Sequence, residues 1–305
     1  TDDVTITFNN NPTAANAGAD QTSLCGVTST ALTANTPVVG TGTWSIVSGV
    51  GGSFALNTDP STTFTGILGT TYVLRWTIAN APCVSSTDDV TITFNNNPTA
   101  ANAGIDQTIC GNSATFSANV PTNGTGTWTL ISGGGTITSL NLASSTVSGL
   151  SIGANVFRWT ISNAPCTDSF DEITINVTSA PASANAGADQ LNLCGVGSTT
   201  LAGNIPGSGS GVWSITNGLG GVISTIGNPT STFSGVIGNT YVLRWTISNP
   251  PCADSFDEVT ILFNSNPTTA DAGLDQTICS PTATLAANTP LIGTGAWTVI
   301  AGGGA

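Results

Sequence analysis

Cysteine is the residue type in this sequence best placed to do chemistry, and its spacing is regular. One set falls at Cys25, Cys110, Cys194 and Cys279, in steps of 85, 84 and 85 residues. A second set, Cys83, Cys166 and Cys252, closes an Asn-x-Pro-Cys run each time. Two isolated thiols recurring at this interval read as disulfides formed outside the cytoplasm. A zinc site needs a fuller ligand set, and the chain has no His to supply one. The count of seven is odd, and Cys279 is expected to have its mate beyond the last residue.

The other reactive types are sparse. Sixteen acids stand against three cations, all Arg, so the net charge is −13 and only 6% of residues are charged. Such a surface lacks the basic stripe that displaces counterions from a phosphate backbone, so nucleic acid is not an expected partner. The cations Arg75, Arg158 and Arg244 each precede a Trp, and the acid pairs Asp88-Asp89, Asp171-Glu172 and Asp257-Glu258 follow about 13 residues later. A cross-strand ion pair between each Arg and an acid of the next strand is the simplest reading, worth a fraction of a kcal/mol when exposed, roughly 0.2–1. The six paired acids, with Asp20, Asp106, Asp168, Asp189 and Asp254, are also candidate calcium ligands between repeats. Calcium takes roughly six to eight oxygens at one site, and no DxDxDG-like loop gathers these acids. No other cofactor is expected. Catalysis is not expected either: Ser and Thr lack a His or Lys base, and the acids recur in every copy instead of converging in one cleft. Without Lys, a Lys–Asn isopeptide cross-link is also impossible.

These spacings belong to an internal repeat. The 18 residues Thr1 to Gly18 recur unchanged at Thr87 to Gly104. One Trp set, Trp44, Trp128, Trp213 and Trp297, steps by 84, 85 and 84; a second is Trp76, Trp159 and Trp245. Complete repeats are expected at 12–97, 98–180 and 181–266, after the last strand of an earlier copy at 1–11 and before a truncated copy at 267–305. The chain thus reads as part of a longer array.

Each copy reads as strand. Tyr72, Leu74, Trp76 and Ile78 alternate with Val73, Arg75 and Thr77, and Val90 to Phe94 alternates in the same way. A period of two marks strands buried on one side, and the Thr, Val and Ile that fill them favour the pleated surface. Gly, Asn and Pro clusters punctuate them, and no stretch has helical periodicity. About seven strands in ~85 residues suit an all-β, Ig-like sandwich repeated in tandem. Trp44, Trp128 and Trp213 then fall on strand C and Trp76, Trp159 and Trp245 on strand F, as core residues. No apolar run approaches the ~18 residues of a spanning helix.

The motif NAGADQ at Asn16 to Gln21 returns as NAGIDQ at Asn102, NAGADQ at Asn185 and DAGLDQ at Asp271. With the Tyr-Val-Leu-Arg-Trp strand it resembles a PKD-type Ig-like repeat. Together with TICGNSAT, GTGTW, RWTISNAPC and DDVTITF, it is similar to the tandem repeats of giant surface adhesins of Flavobacterium and related Bacteroidetes, the SprB-like gliding-motility adhesins. Ser48 to Gly52 stands where the broad PKD pattern has an Asp-Gly-rich turn. The resemblance implies an extracellular, cell-surface location and a filament that carries force from envelope to substratum. It also implies a surface or matrix ligand met outside this segment, and envelope motility or secretion machinery as partners.

Two disulfide schemes fit these spacings. Counting within repeats pairs Cys25–Cys83, Cys110–Cys166 and Cys194–Cys252. In an Ig-like sandwich, however, the A–B and F–G turns lie at opposite ends of a strand of ~7 residues, about 23 Å apart. A disulfide needs Cα atoms within about 7 Å. A neighbour-linked scheme pairs Cys25–Cys166 and Cys110–Cys252 and leaves Cys83, Cys194 and Cys279 for partners elsewhere. Functionally, a structural stalk stands first. Multivalent carbohydrate- or protein-binding modules, or a docking scaffold, are the alternatives, and a binding module would want exposed aromatic platforms.

Overall fold

The computed structural model describes residues 1–302; residues 303–305, the end of the expected truncated repeat, lie outside the described residues. The alternating runs become strands in three successive sets of seven. The first set is β1 (Gln21–Cys25), β2 (Ser29–Ala31), β3 (Thr41–Ser48), β4 (Ser53–Phe54), β5 (Thr63–Thr65), β6 (Thr70–Ala79) and β7 (Ser86–Asn95). The second is β8 (Gln107–Cys110), β9 (Ser113–Thr115), β10 (Thr125–Ser132), β11 (Thr136–Ile137), β12 (Thr146–Ser148), β13 (Gly153–Ser162) and β14 (Ser169–Thr178). The third is β15 (Gln190–Cys194), β16 (Ser198–Thr200), β17 (Ser210–Asn217), β18 (Val222–Ile223), β19 (Thr232–Ser234), β20 (Thr240–Ser248) and β21 (Ser255–Asn264).

Each set makes a four-stranded and a three-stranded sheet. The orders are β1-β7-β6-β3 with β2-β5-β4, β10-β13-β14-β8 with β11-β12-β9, and β15-β21-β20-β17 with β16-β19-β18. The long strands pair antiparallel, whereas β1 joins β7 in parallel, with its register broken between Gln21 and Leu24. By contact, Thr1–Gln107 and Asn112–Val177 form one compact unit, and Thr108–Gly111 with the chain from Thr178 form another.

The inner faces meet over a pair of tryptophans. Trp44 lies opposite Trp76, Trp128 opposite Trp159 and Trp213 opposite Trp245, with ring centroids 5.0–5.1 Å apart. All six are buried to within 2%. This close pairing explains the Gly of the GTGTW motif. A Cβ on Gly42, Gly126 or Gly211 would overlap the indole of Trp76, Trp159 or Trp245. Gly126→Val should therefore destabilise the second repeat by about 1–3 kcal/mol through overpacking. Hydrogen exchange of the β10 and β13 amides checks it: unchanged protection would contradict the clash.

The second core is built differently from its neighbours. Leu32, Phe64, Tyr72, Leu74 and Phe94 in the first repeat have the counterparts Leu201, Phe233, Tyr241, Leu243 and Phe263 in the third. In the second repeat the same positions hold Phe116, Val147, Asn155, Phe157 and Val177, all buried. Aromatic bulk has moved between facing positions while the interior stays filled, as close packing requires.

The expectation of a last strand at 1–11 is corrected. Thr1 to Phe8 repeats the sequence of Thr87 to Phe94, yet it forms no strand, and Val4, Ile6 and Phe8 are 69–93% exposed. In β7 the same residues are buried between β6 and β1. Among the described residues no strand pairs with Thr1 to Phe8, so this copy's backbone gains no ladder and its apolar face no cover. Residues 267–302 likewise contain no strand, and Trp297 is exposed. Local contacts survive there, such as Asp271 N–H to Asn288 Oδ1 and Asn288 Nδ2 to the Thr269 carbonyl.

Candidate functional site

The cysteines lie where strands hand over to loops. Cys25 ends β1, Cys110 ends β8 and Cys194 ends β15. Cys83, Cys166 and Cys252 lie in the loops β6–β7, β13–β14 and β20–β21. Cys25 is bonded to Cys166 with Cα atoms 5.6 Å apart, and Cys110 to Cys252 with Cα atoms 4.9 Å apart. Each bond lies within one compact unit. Cys83, Cys194 and Cys279 are free thiols. The internal pairings Cys25–Cys83, Cys110–Cys166 and Cys194–Cys252 are not formed. Within a repeat the two positions are separated by the length of the β6–β7 ladder, which pairs Thr70 with Phe94 at one end and Ile78 with Ser86 at the other. Cys25 aligns with Asn95 at the first end, and Cys83 lies beyond the second.

Around the first bond the linker is held on both sides by amide chemistry. Asn95 Nδ2 donates to the Thr22 carbonyl at 2.9 Å, and the Asn95 carbonyl accepts the Gly26 N–H at 2.9 Å. From the next repeat, Asn163 Nδ2 donates to the Asn96 carbonyl at 2.8 Å. Gly26, at φ 66°, packs so closely on Asn97 that a Cβ would collide with its amide. The same contacts recur: Asn249 Nδ2 donates to the Ser179 carbonyl, Asn80 Nδ2 to the Asn10 carbonyl, and Asn264 Nδ2 to the Leu191 carbonyl. The Asn of each Asn-x-Pro-Cys run is thus a linker clasp. Sequence reasoning missed this role, although its recurrence three residues before every second-set Cys was the available signal.

The acids also have separate protein partners. The first acid of each pair fastens the segment ahead of the first strand: Asp88, Asp171 and Asp257 accept the N–H of Ala17, Ala103 and Ala186, each at 2.8 Å. Asp20, Asp106 and Asp189 reach the other way and accept the N–H of Thr91, Thr174 and Thr260, each at 2.8 Å. Each of these three stands one residue before β1, β8 or β15. There the carboxylate takes the amide that a ladder carbonyl would otherwise accept. Adjacent acids on a strand point to opposite faces, so Asp88 and Asp89, or their counterparts, cannot converge on one ion. Among the described residues, no group of three or more His, Cys, Asp or Glu could hold a metal.

The second acid of each pair meets the Arg. Arg75 binds Asp89 through two parallel hydrogen bonds of 2.7 and 2.8 Å. Arg158 reaches one oxygen of Glu172 through Nε and Nη2, and Arg244 does the same with Glu258. Arg158 and Arg244 also lie over Phe170 and Phe256 at 4.2 and 4.3 Å, where the first repeat has Thr87. The Arg75 guanidinium, chiefly through its hydrogen bonds, holds the Asp89 carboxyl below the usual carboxylate range. Because that pKa is lowered on folding, the pair contributes above the ordinary Asp range, and its contribution is lost as pH falls through the depressed value. Both side chains are about two-fifths exposed, so the effect on stability is small. A carboxyl-carbon NMR titration should place Asp89 below ordinary Asp and return it upward in Arg75→Gln; identical titrations would remove the assignment.

In every complete set, then, seven strands split into a four- and a three-stranded sheet closed over one tryptophan pair. The chain is a tandem run of Ig-like β-sandwich domains. No protein-family model matches it, and no curated protein matches it. Solved structures do. Extracellular domains 3–5 of Drosophila OTK match 82% of this chain and 95% of their own, at 11% identity and TM-score 0.41. Immunoglobulin domains 1–4 of Sidekick-1 match 84% of this chain and 76% of theirs, at 8% identity and TM-score 0.37. The N-terminal eight Ig domains of Down Syndrome Cell Adhesion Molecule match 83% of this chain and 42% of theirs, at 12% identity and TM-score 0.38.

For the Ig-like array itself, the tryptophans do not present a binding surface, because all six of the paired set are interior. An apolar depression of about 450 Å³ beside Trp159, edged by Val120, Pro121 and Leu142, belongs to the second domain. Its counterpart loops carry Pro60 and Pro229 where this one has Ala143. Among the described residues, no helix is long and apolar enough to cross a membrane.

Proposed function

We propose that this chain is a stalk segment of a long, secreted cell-surface adhesin. Its domains occupy 12–97, 98–180 and 181–266, with parts of further domains at 1–11 and 267–305. The observation that carries this reading is the pairing of Cys25 with Cys166 and of Cys110 with Cys252, each of which joins one domain to the next. A chain that must bear tension gains from covalent bonds across its junctions, and paired cysteines support a location outside the cytoplasm. The paired acids, Asp20, Asp106 and Asp189 and the arginines are engaged with one another or with backbone amides, which supports a structural, non-catalytic role. By resemblance, the adhesin is of the SprB-like type and carries force in gliding motility, with its ligand met elsewhere on the protein.

In-frame deletion of this segment from the full-length protein in the producing cell tests the reading. Surface display should persist, with the distal end brought closer to the cell and traction reduced. Specific binding by the isolated segment, on a glycan array or a protein-coated surface, would favour the binding-module alternative. Loss of display altogether would favour a docking scaffold.

A further inference from the structure

The two cross-links are interlaced along the chain. Cys110 falls inside the loop closed by Cys25–Cys166, which spans 141 residues, and Cys166 falls inside the loop closed by Cys110–Cys252, which spans 142. We propose that this overlap makes the chain a redundantly limited tether, in which either bond alone nearly fixes the maximum length. This deepens the tension-bearing reading and rests on it for its use; the lengths themselves follow from covalent connectivity alone.

A stretched, unfolded chain reaches about 3.5 Å per residue, and its taut length is set by the shortest covalent route between its ends. Without cross-links that route is about 304 residue steps, or roughly 1,060 Å. With both bonds it runs from the N-terminus to Cys25, crosses to Cys166, returns to Cys110, crosses to Cys252 and continues to the C-terminus. It then comprises about 133 residues, or roughly 470 Å. The segment between Cys110 and Cys166 is pulled backwards, against the chain direction. With one bond removed, the route becomes about 163 residues whichever bond it is, or roughly 570 Å. Losing one cross-link therefore releases only about 30 residues of slack, and losing both releases about 170. Two separate loops of similar size, placed end to end, would each release their whole contents on failure. Interlacing shares the segment between Cys110 and Cys166 between the two loops, so one failure leaves nearly all of the limit in place.

Single-molecule stretching of the 305-residue chain, held by its termini, tests this. Cys83, Cys194 and Cys279 are replaced by Ser so that only four thiols can pair. The oxidised chain should reach about 470 Å, Cys25→Ser and Cys110→Ser should each reach about 570 Å, and the fully reduced chain about 1,060 Å. Nested pairing would instead hold the parent near 270 Å, and sequential pairing would carry each single variant to about 760 Å. Either result overturns the proposal. Taut length does not depend on the variants folding well, and non-reducing peptide mapping of the parent gives an independent check. If the lengths fail, the stalk reading still stands on its own test. If the isolated segment instead proves to be a specific binder, the lengths are unaffected.

Discussion

Trp159→Ala should destabilise the second domain by about 3–5 kcal/mol, a cost in the range for removing a buried indole. The side chain is 1% exposed, lies 5.1 Å from Trp128 centroid to centroid, and rests on the bare Cα of Gly126. Its Nε1–H also donates to the Asn119 carbonyl at 3.2 Å, so the substitution leaves that acceptor without its partner as well as opening a void. Collapse is limited because both flanking strands are fixed by the β10–β13–β14 ladders. Hydrogen exchange is the suitable measurement, since it reads opening free energy strand by strand in a multi-domain chain. Protection in β10, β13 and β14 should fall steeply while β17, β20 and β21 keep theirs. A change below about 1 kcal/mol would mean that the indole is not the keystone its burial indicates.

Asn155→Leu should cost about 3–5 kcal/mol for a different reason. The residue is 0% exposed at a position where the neighbouring domains use tyrosine. Tyr72 ties two loops together by accepting the Ile67 N–H at 3.0 Å and donating to the Val50 carbonyl at 2.7 Å. Asn155 does the same work with a shorter side chain. Its Oδ1 accepts the N–H of Gly134 at 2.8 Å and of Ser151 at 3.2 Å, and its Nδ2 donates to the carbonyls of Ser151, Gly153 and Ile175. Leucine has nearly the same size and satisfies none of these groups. Each stranded buried amide costs about 1–3 kcal/mol, which outweighs the added apolar burial. Asn155→Ala should be comparably damaging. Loss of exchange protection at Gly134 and Ser151 is the expected signature, and retained protection in Asn155→Leu would sink the account.

The fold was legible where the physics is local and periodic. The alternation of Tyr72 to Ile78 and of Val90 to Phe94 predicts which face of β6 and β7 is buried, and the burial pattern follows it residue by residue. The arginine partner was half legible. An acid two positions into each pair was in reach of strand F, but only the register shows that Asp89 faces Arg75 while Asp88 turns to Ala17. Less legible was whatever depends on partners far away in sequence. The parallel docking of β1 on β7 has no local signature, and Asp20 reaches a backbone amide 71 residues away. The octet Thr1 to Phe8 shows the limit most plainly. The same eight residues are a buried strand in one place and exposed coil in another, because strand formation there is set by neighbours.

Asn155 and its four altered companions have a consequence for how the chain reaches its native state. Tandem domains of similar sequence are prone to exchanging elements with the domain beside them, and the trapped product is hard to escape. Here the first and third domains share one interior and the second has another, so the second matches neither neighbour. A β6 strand that strayed into the second domain would bring Tyr72 and Leu74 to sites shaped for Asn155 and Phe157. The phenol would displace the loop amides that Asn155 holds, and Leu74 would leave a hollow where Phe157 packs on Phe116. The second interior thus rejects the strands of the domains on either side of it.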